Sequence, residues 1–469
     1  MTSRYAFTVS IIFIFGCFDT ASLARTKTGA DFLFACMGRG RYVKDKRCTV
    51  GGQANEKRGP GMPANISNGK RIPVFPFLLC YNDMTFNRNC SENVTPSGVV
   101  CTYVFMPVSD LLSSESRYLS MPTSETTHNT SRTLVVIPNY NGLRFLPDCM
   151  EALSRQTVTD FTVLVIDNAS GGDDITWLRT WQAEDPARRK LLQNDANLGF
   201  SGAVNQGIRM AMEEHYDFTL LLNNDTKVRP DFIEALEKRM DQDSKGRIFA
   251  LSSKMVKMHD PHEIDDAGDA YTLLGWQFQH GLGECAEKPV WNREAVVFSA
   301  CAGAAIYRTA LFRAVGLFDE HHFAYLEDID VSYRAQLYGY RVLYCPTAVV
   351  EHVGSGTSGS KYNAFKVRLS ARNSVYLLYK NMPALMLLVN AFPLLLGFLV
   401  KQLFFFRKGF GKEYAAGILE GIRTRKQLEK AKLKEVPFLR YLSIELRLIY
   451  QTLEYVLQLG RKYTAKARG

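Results

Sequence analysis

The run Thr133-Leu-Val-Val-Ile-Pro-Asn-Tyr-Asn141 decides how the chain folds. Five apolar or β-branched residues in succession, closed by a proline, make a strand buried on both faces. Two more runs of the same kind follow, Phe161-Thr-Val-Leu-Val-Ile166 and Phe218-Thr-Leu-Leu-Leu222. Between them the apolar spacing becomes helical, over 143–155, 174–183 and 201–214. Strands alternating with helices of this length predict a parallel α/β sheet. The strands end in Asn139-Tyr140-Asn141, Asp167-Asn168 and Asn223-Asn224-Asp225. Ligands bind at the carboxyl ends of strands in such sheets, so these clusters mark one crevice.

The whole chain has 469 residues, 46% hydrophobic and 22% charged. That mix excludes a disordered or collagen-like chain, and the lack of repeated apolar runs of about 20 residues excludes a many-spanning transporter. The net charge is +10, but residues 401–469 hold 16 Lys/Arg against 6 Glu, so the first 400 residues sum to zero. Three regions result: an extension over 1–130, an α/β domain over 131–365, and a basic helical region over 366–469.

The extension resists a functional reading. Arg4 precedes an apolar run over 6–18, short for a membrane span. Sequons stand at Asn65, Asn89, Asn93 and Asn129, and the spacings of Cys36, Cys48, Cys80, Cys90 and Cys101 match no zinc pattern. Three readings stay open: a poorly ordered or mis-included stretch, a cleaved signal with a small disulfide region, or an anchor. Met106 or Met121 would start a shorter chain. At the other end, the uncharged run 384–400 is interrupted by Asn390 and Pro393, which suits a re-entrant or interfacial helix pair. Leu442, Leu446, Ile449, Leu453 and Val456 then step by helical intervals among Lys and Arg. A basic amphipathic helix beside an apolar segment predicts a membrane-surface element; a soluble hairpin covering the sheet is the alternative.

Four places carry candidate chemistry. Asp225 ends a strand too early to cap the helix starting near Pro230, so it is read as a ligand for a hard divalent cation. Gly199 and Gly202 open a helix in Asn197-Leu-Gly-Phe-Ser-Gly202, which fits a phosphate cradle or a tight turn equally. Glu327, Asp328 and Asp330 crowd four positions; Asp330 pairs with Arg334 at helical spacing, while Asp328 is free to act as a base. From spacing alone a salt-bridged helix face is the stronger reading. His352 ends a strand before the Gly-rich loop 354–359 and can ligate a metal or serve as a structural residue.

Taken together, V-V-I-P-N-Y-N-G, V-I-D-N-A-S, N-L-G-F-S-G-A-V-N-Q-G, L-L-N-N-D-T, C-A-G-A-A-I-Y-R, G-L-F-D-E and F-A-Y-L-E-D-I-D-V-S-Y-R occur in this order between residues 133 and 379. The set resembles glycosyltransferase family 2, rhamnosyltransferase-like branch. The resemblance implies the GT-A fold, an α/β Rossmann-like nucleotide-sugar-binding architecture, here with a C-terminal helical membrane-associated tail. It implies that Pro138, Tyr140, Asn141, Asp167, Asn197, Asn223 and Asn224 bind the nucleotide sugar, and that Gly303 lies in a donor or acceptor loop. Asp328, with Glu327 beside it, takes the place of the catalytic base. Asp225 and His352 take the metal site, for Mg²⁺ or Mn²⁺. The family's D-x-D motif has Asn223 at its first place here, so one expected carboxylate is missing.

The implied reaction is an inverting transfer from a nucleoside-diphosphate sugar, dTDP-rhamnose or a UDP-sugar, to a saccharide or lipid-linked saccharide in cell-surface polysaccharide synthesis. The chain lacks the Q-x-x-R-W motif of processive synthases. A catalytically silent, membrane-associated scaffold is the alternative. Nucleic acid is not expected as a partner, because the basic residues accompany apolar sequence and no reader motif. The basic tail predicts attachment to the cytoplasmic face of a membrane.

Overall fold

The computed structural model describes residues 131–354 and 362–466. The signal-like run, sequons and cysteines of the first 130 residues lie outside the described residues, as does most of the loop after Gly354.

The three buried runs are strands, and the sheet extends well beyond them. In chain order the elements are β1 (Thr133–Asn139), α1 (Leu146–Ser154), β2 (Phe161–Asp167), α2 (Asp174–Glu184), β3 (Arg189–Gln193), α3 (Gly199–Glu213), β4 (Phe218–Leu222), β5 (Thr226–Val228) and α4 (Phe232–Asp241). There follow β6 (Ile248–Lys257), β7 (Asp260–Asp266), β8 (Asp269–Tyr271), β9 (Gln277–Gln279), β10 (Ala295–Val296), β11 (Ala304–Arg308), α5 (Phe312–Val315), α6 (Glu327–Leu337) and β12 (Arg341–His352). The last five are α7 (Ala364–Asn381), α8 (Ala384–Val389), α9 (Ala391–Arg407), α10 (Gly411–Thr424) and α11 (Phe438–Lys466).

The main sheet runs β10-β12-β6-β11-β4-β1-β2-β3, with β5 on β12 and β7 on β6. Strands β2, β1 and β4 are parallel, as predicted, and β3, which the sequence did not announce, joins them in parallel. Beyond β4 the expectation of a parallel sheet fails. Strand β11 is antiparallel to both neighbours, so the sheet is mixed. The reason is local: β11 enters from the loop 297–303 and not from a crossover helix, and only such a crossover returns a strand in the same direction.

Alternation along β1 divides the core. Leu134 and Val136 pack with Val204 and Ile208 of α3 on one face. Val135 and Ile137 face the other way, onto Leu146 of α1 and Leu178 of α2. All four β1 side chains are fully buried, each contributing about 1.5–3 kcal/mol. A third cluster joins Tyr333 and Leu337 of α6 to Leu377 and Leu378 of α7 and to Ile444 and Leu448 of α11.

The run 384–400 divides where expected. Pro393 lacks an N–H, which the first turn of a helix tolerates, and the break falls just before it at Asn390. Among the described residues no helix is long and apolar enough to cross a membrane.

Candidate active site

The site begins at the carboxyl ends of β1, β2 and β4. Asn139, buried at the end of β1, ties the three together. Its amide donates to Asp167 Oδ1 (2.9 Å) and Asp174 Oδ1 (3.0 Å), and its Oδ1 accepts from Asn224 Nδ2 (2.7 Å). Gly142 leaves room for this: a Cβ there would lie 2.0 Å from Asn224 Nδ2. Asp167 has no exposed surface, and its Oδ2 accepts from the Ser170 N–H. Asn197 Oδ1 accepts from Asn168 Nδ2 and from the Gly199 N–H, bracing the turn into α3. Asp167, Asn197 and Asn224 are therefore all engaged by neighbouring protein groups. Tyr140 instead stands 41% exposed on the lip, an aromatic face open to a ligand.

Sheet pairing brings Asp225 to His352. Strand β5 runs antiparallel to the end of β12, with Thr226 opposite His352. Asp225 Oδ1 lies 3.4 Å from His352 Nε2, and His352 Nδ1 lies 2.7 Å from Asp265 Oδ2 at the end of β7. Burial opposes the imidazolium, but the two carboxylates outweigh it and push His352 up to about 10. Asp225 and His352 are the residues that would hold a divalent cation here. Asp265 orients the ring by its other nitrogen, the usual outer partner of a metal-binding histidine. The Asp225–His352 pair fits a hard cation that keeps waters and phosphate oxygens as its remaining ligands.

The second carboxylate group opens α6. Glu327 and Asp328 occupy its first turn, where the helix dipole favours negative charge. Burial raises both carboxyls; the Asp328 charge raises Glu327 further, whereas N–H groups of Ile329 and Ala302 hold Asp328 down. Two buried carboxyls this close resist carrying two charges at once, so they titrate as a pair. Asp330 does something different: it is fully buried and pairs with Arg334 (3.0 Å) and Lys380 (3.1 Å).

The loop Cys301–Gly303 connects the two groups. The Ala302 N–H supports Asp328, while the Gly303 carbonyl accepts from the Asn223 N–H at 2.8 Å. A Cβ on Gly303 would come 3.0 Å from Asn223 Nδ2. Asn223 follows β4 and precedes Asp225 by two residues, so this loop links the strand-end crevice to Asp328. Pro138 and Asn141 lie at its β1 edge, Asn141 with φ 51° and its Oδ1 accepting from the Gly171 N–H.

Sequence reasoning missed Asn139 as a hub and missed Asp265 altogether. It also passed over Asp266, Asp269 and Cys301, which each bring one donor atom within 4.8 Å of the others. Burial raises the two carboxyls, and the Asp266 charge adds to the effect at Asp269. The one available signal was the acid density of Ile264-Asp-Asp-Ala-Gly-Asp269.

Comparison with known proteins agrees with this architecture. Residues 134–280 match the family described as Glycosyl transferase family 2. The chain is 27% identical over 223 residues to an undecaprenyl-phosphate mannosyltransferase of Micrococcus luteus, covering 47% of this chain and 84% of the relative. It is 27% identical over 243 residues to an N-acetylglucosaminyl-diphospho-decaprenol L-rhamnosyltransferase of Mycobacterium tuberculosis, covering 48% and 77%. Residues 134–280 thus form a family 2 glycosyltransferase domain, and the chain is related to rhamnosyl- and mannosyltransferases. Among solved structures, a mannosyltransferase from Pyrobaculum calidifontis in complex with GDP-Man and Mn²⁺ overlaps with TM-score 0.39 at 15% identity, over 66% of this chain and 92% of that one. GalNAc-T7 with UDP, GalNAc and Mn²⁺ overlaps with TM-score 0.44 at 16% identity, over 54% of this chain and 48%, about half, of that one.

Proposed function

We propose that the chain transfers a sugar from a nucleoside-diphosphate sugar to a hydroxyl of a saccharide or lipid-linked saccharide, by one displacement that inverts the anomeric carbon. The observation that supports this reading is the loop Cys301–Gly303, which bonds Asn223, two residues before Asp225, through Gly303 and Asp328 through Ala302. Asp328 accepts the proton of the attacking hydroxyl; the N–H groups of Ile329 and Ala302 favour its charged form. Tyr140 offers a face to the nucleotide base, and Asn223 borders the diphosphate. Mg²⁺ or Mn²⁺ on Asp225 and His352 would neutralise charge on the departing diphosphate. For this chain, the likeness to a rhamnosyltransferase puts dTDP-rhamnose first among donors, with UDP-sugars as the other class.

The acceptor meets the enzyme at a membrane surface in this proposal. Helices α8 and α9 leave Leu385, Leu388, Phe392, Leu395, Leu399 and Phe406 more than half exposed. Apolar area of this extent calls for a partner. Residues 401–469 carry the +10, which suits an anionic leaflet on the cytoplasmic side, where nucleotide sugars are made. The test is to offer the protein UDP-, GDP- and dTDP-sugars with Mn²⁺ and lipid acceptors, and to measure nucleotide release. Release from none of them would sink the proposal.

A further inference from the structure

Just before Glu327 the backbone adopts positive φ at three residues that are not glycine: Phe323 (64°), Tyr325 (72°) and Leu326 (66°). At Phe323 ψ is −62°, and the Ala324 N–H donates to the His322 carbonyl at 2.7 Å. This is a γ-turn of the rare, positive-φ kind. Such backbone persists only where its surroundings over-determine it, and it concentrates at functional sites.

One side chain supplies much of that constraint. Asn373, fully buried in α7, donates from Nδ2 to the carbonyls of His322, Ala324 and Tyr325 at 2.9, 2.9 and 2.8 Å. An amide NH₂ has two hydrogens, so three carbonyls converge on two donors. Arg372 Nε donates to Asn373 Oδ1 at 3.1 Å, which fixes the orientation of the amide. Arg372 Nη2 also donates to the His321 and His322 carbonyls. From α3, the Ser201 N–H donates to the Phe323 carbonyl at 3.1 Å. Gly199 permits this approach, since a Cβ there would lie 2.5 Å from that oxygen. Leu326, the last strained residue, is also the N-cap of α6.

We infer that Asn373 is a positioning residue for the Glu327–Asp328 pair: by gathering three carbonyls of the turn 322–326 it sets where α6 begins and where Asp328 stands against the loop Cys301–Gly303. The inference rests on the proposed role of Asp328 as the base. It gives α7, which lies outside the matched family segment, a part in the reaction.

The test compares Asn373→Leu, similar in volume without donors, and Asn373→Ser, which keeps one donor, with wild type. Amide hydrogen exchange across 322–330 should quicken at least about tenfold in Asn373→Leu, while β1 and β4 stay protected. Nucleotide release from UDP-, GDP- and dTDP-sugars with Mn²⁺ should show kcat down about 100-fold. The donor KM and the affinity for UDP, GDP and dTDP should stay within about threefold. Asn373→Ser should fall between Asn373→Leu and wild type on both readouts, and it carries the test if Asn373→Leu does not fold. The acid limb of kcat should move to lower pH, because a loosened turn lets water reach Asp328. Unchanged exchange, unchanged kcat, or nucleotide affinity lost in step with kcat would overturn the inference. If wild type releases nucleotide from no sugar, the proposed function fails by itself, and the exchange of 322–330 still decides whether Asn373 holds the turn.

Discussion

Replacing Lys380 with methionine should reveal how firmly α7 is bonded to α6. Lys380 Nζ lies 2.6 Å from Asp319 Oδ2 and 3.1 Å from Asp330 Oδ2, with side chains 8%, 8% and 0% exposed. Breaking a buried ion pair from one side costs about 3–5 kcal/mol, because it strands the other charge. Asp330 would keep Arg334 at 3.0 Å and the Asn381 amide at 2.7 Å, so the lower end applies, about 3 kcal/mol. At roughly 2–4 °C per kcal/mol for a large domain, the Tm should drop by about 6–12 °C. The pH dependence gives a further check. Burial opposes ionisation of Asp330, but Lys380 and Arg334 outweigh it and hold the carboxyl well below the ordinary range. A carboxyl depressed on folding contributes stability above its unfolded pKa, and loses it as pH falls through the folded one. Without Lys380 the folded value rises, so that contribution disappears sooner on acidification. Urea unfolding of both proteins should therefore differ by about 3 kcal/mol at pH 7, and by less below about pH 4. A difference under about 1 kcal/mol at pH 7, or one that widens on acidification, would refute the reasoning.

Other expectations concern the ligand sites and the surface. Asp225→Asn should weaken Mn²⁺-dependent UDP, GDP or dTDP binding at least about tenfold by calorimetry; unchanged metal dependence would count against Asp225 as a ligand. Leu388→Glu combined with Phe392→Glu should reduce cosedimentation with phosphatidylglycerol vesicles at least about tenfold, since each inserted side chain contributes about 1.5–3 kcal/mol. Equal binding by the variant would exclude α8–α9 from the contact. Gly199→Ala should cost at least about 1 kcal/mol and more than Gly246→Ala. Both glycines have positive φ, but only the Cβ at 199 meets the Phe323 carbonyl. Equal losses in denaturant melts would show that φ alone decides.

The parallel half of the sheet was legible because β1, β2 and β4 are buried on both faces, so their apolar runs are unbroken. Strand β3 was not: its Arg189-Lys-Leu-Leu-Gln193 is half-exposed at the sheet edge and has no such run. The reversal at β11 was hidden too, since direction depends on the connection and leaves no mark on Ala304-Ala-Ile-Tyr-Arg308. At the site, Asp225 and Asp328 stood out by position and crowding. Asp265 did not, because it reaches His352 only through the pairing of β6 with β7 and β12. Asn373 reads as one polar residue in a helix; its importance comes from a turn about 50 residues earlier in the chain. The prediction that Asp330 would pair with Arg334 held, yet helical spacing could not reveal Lys380 as a second partner.

The central claim, that Asp328 is the base of a sugar transfer, is tested most directly by nucleotide release from UDP-, GDP- and dTDP-sugars with Mn²⁺, comparing wild type with Asp328→Asn. The account predicts release by wild type and a loss of 10²–10⁴-fold, roughly, in the variant, with nucleotide affinity within about threefold of wild type. Undiminished release by Asp328→Asn would contradict it.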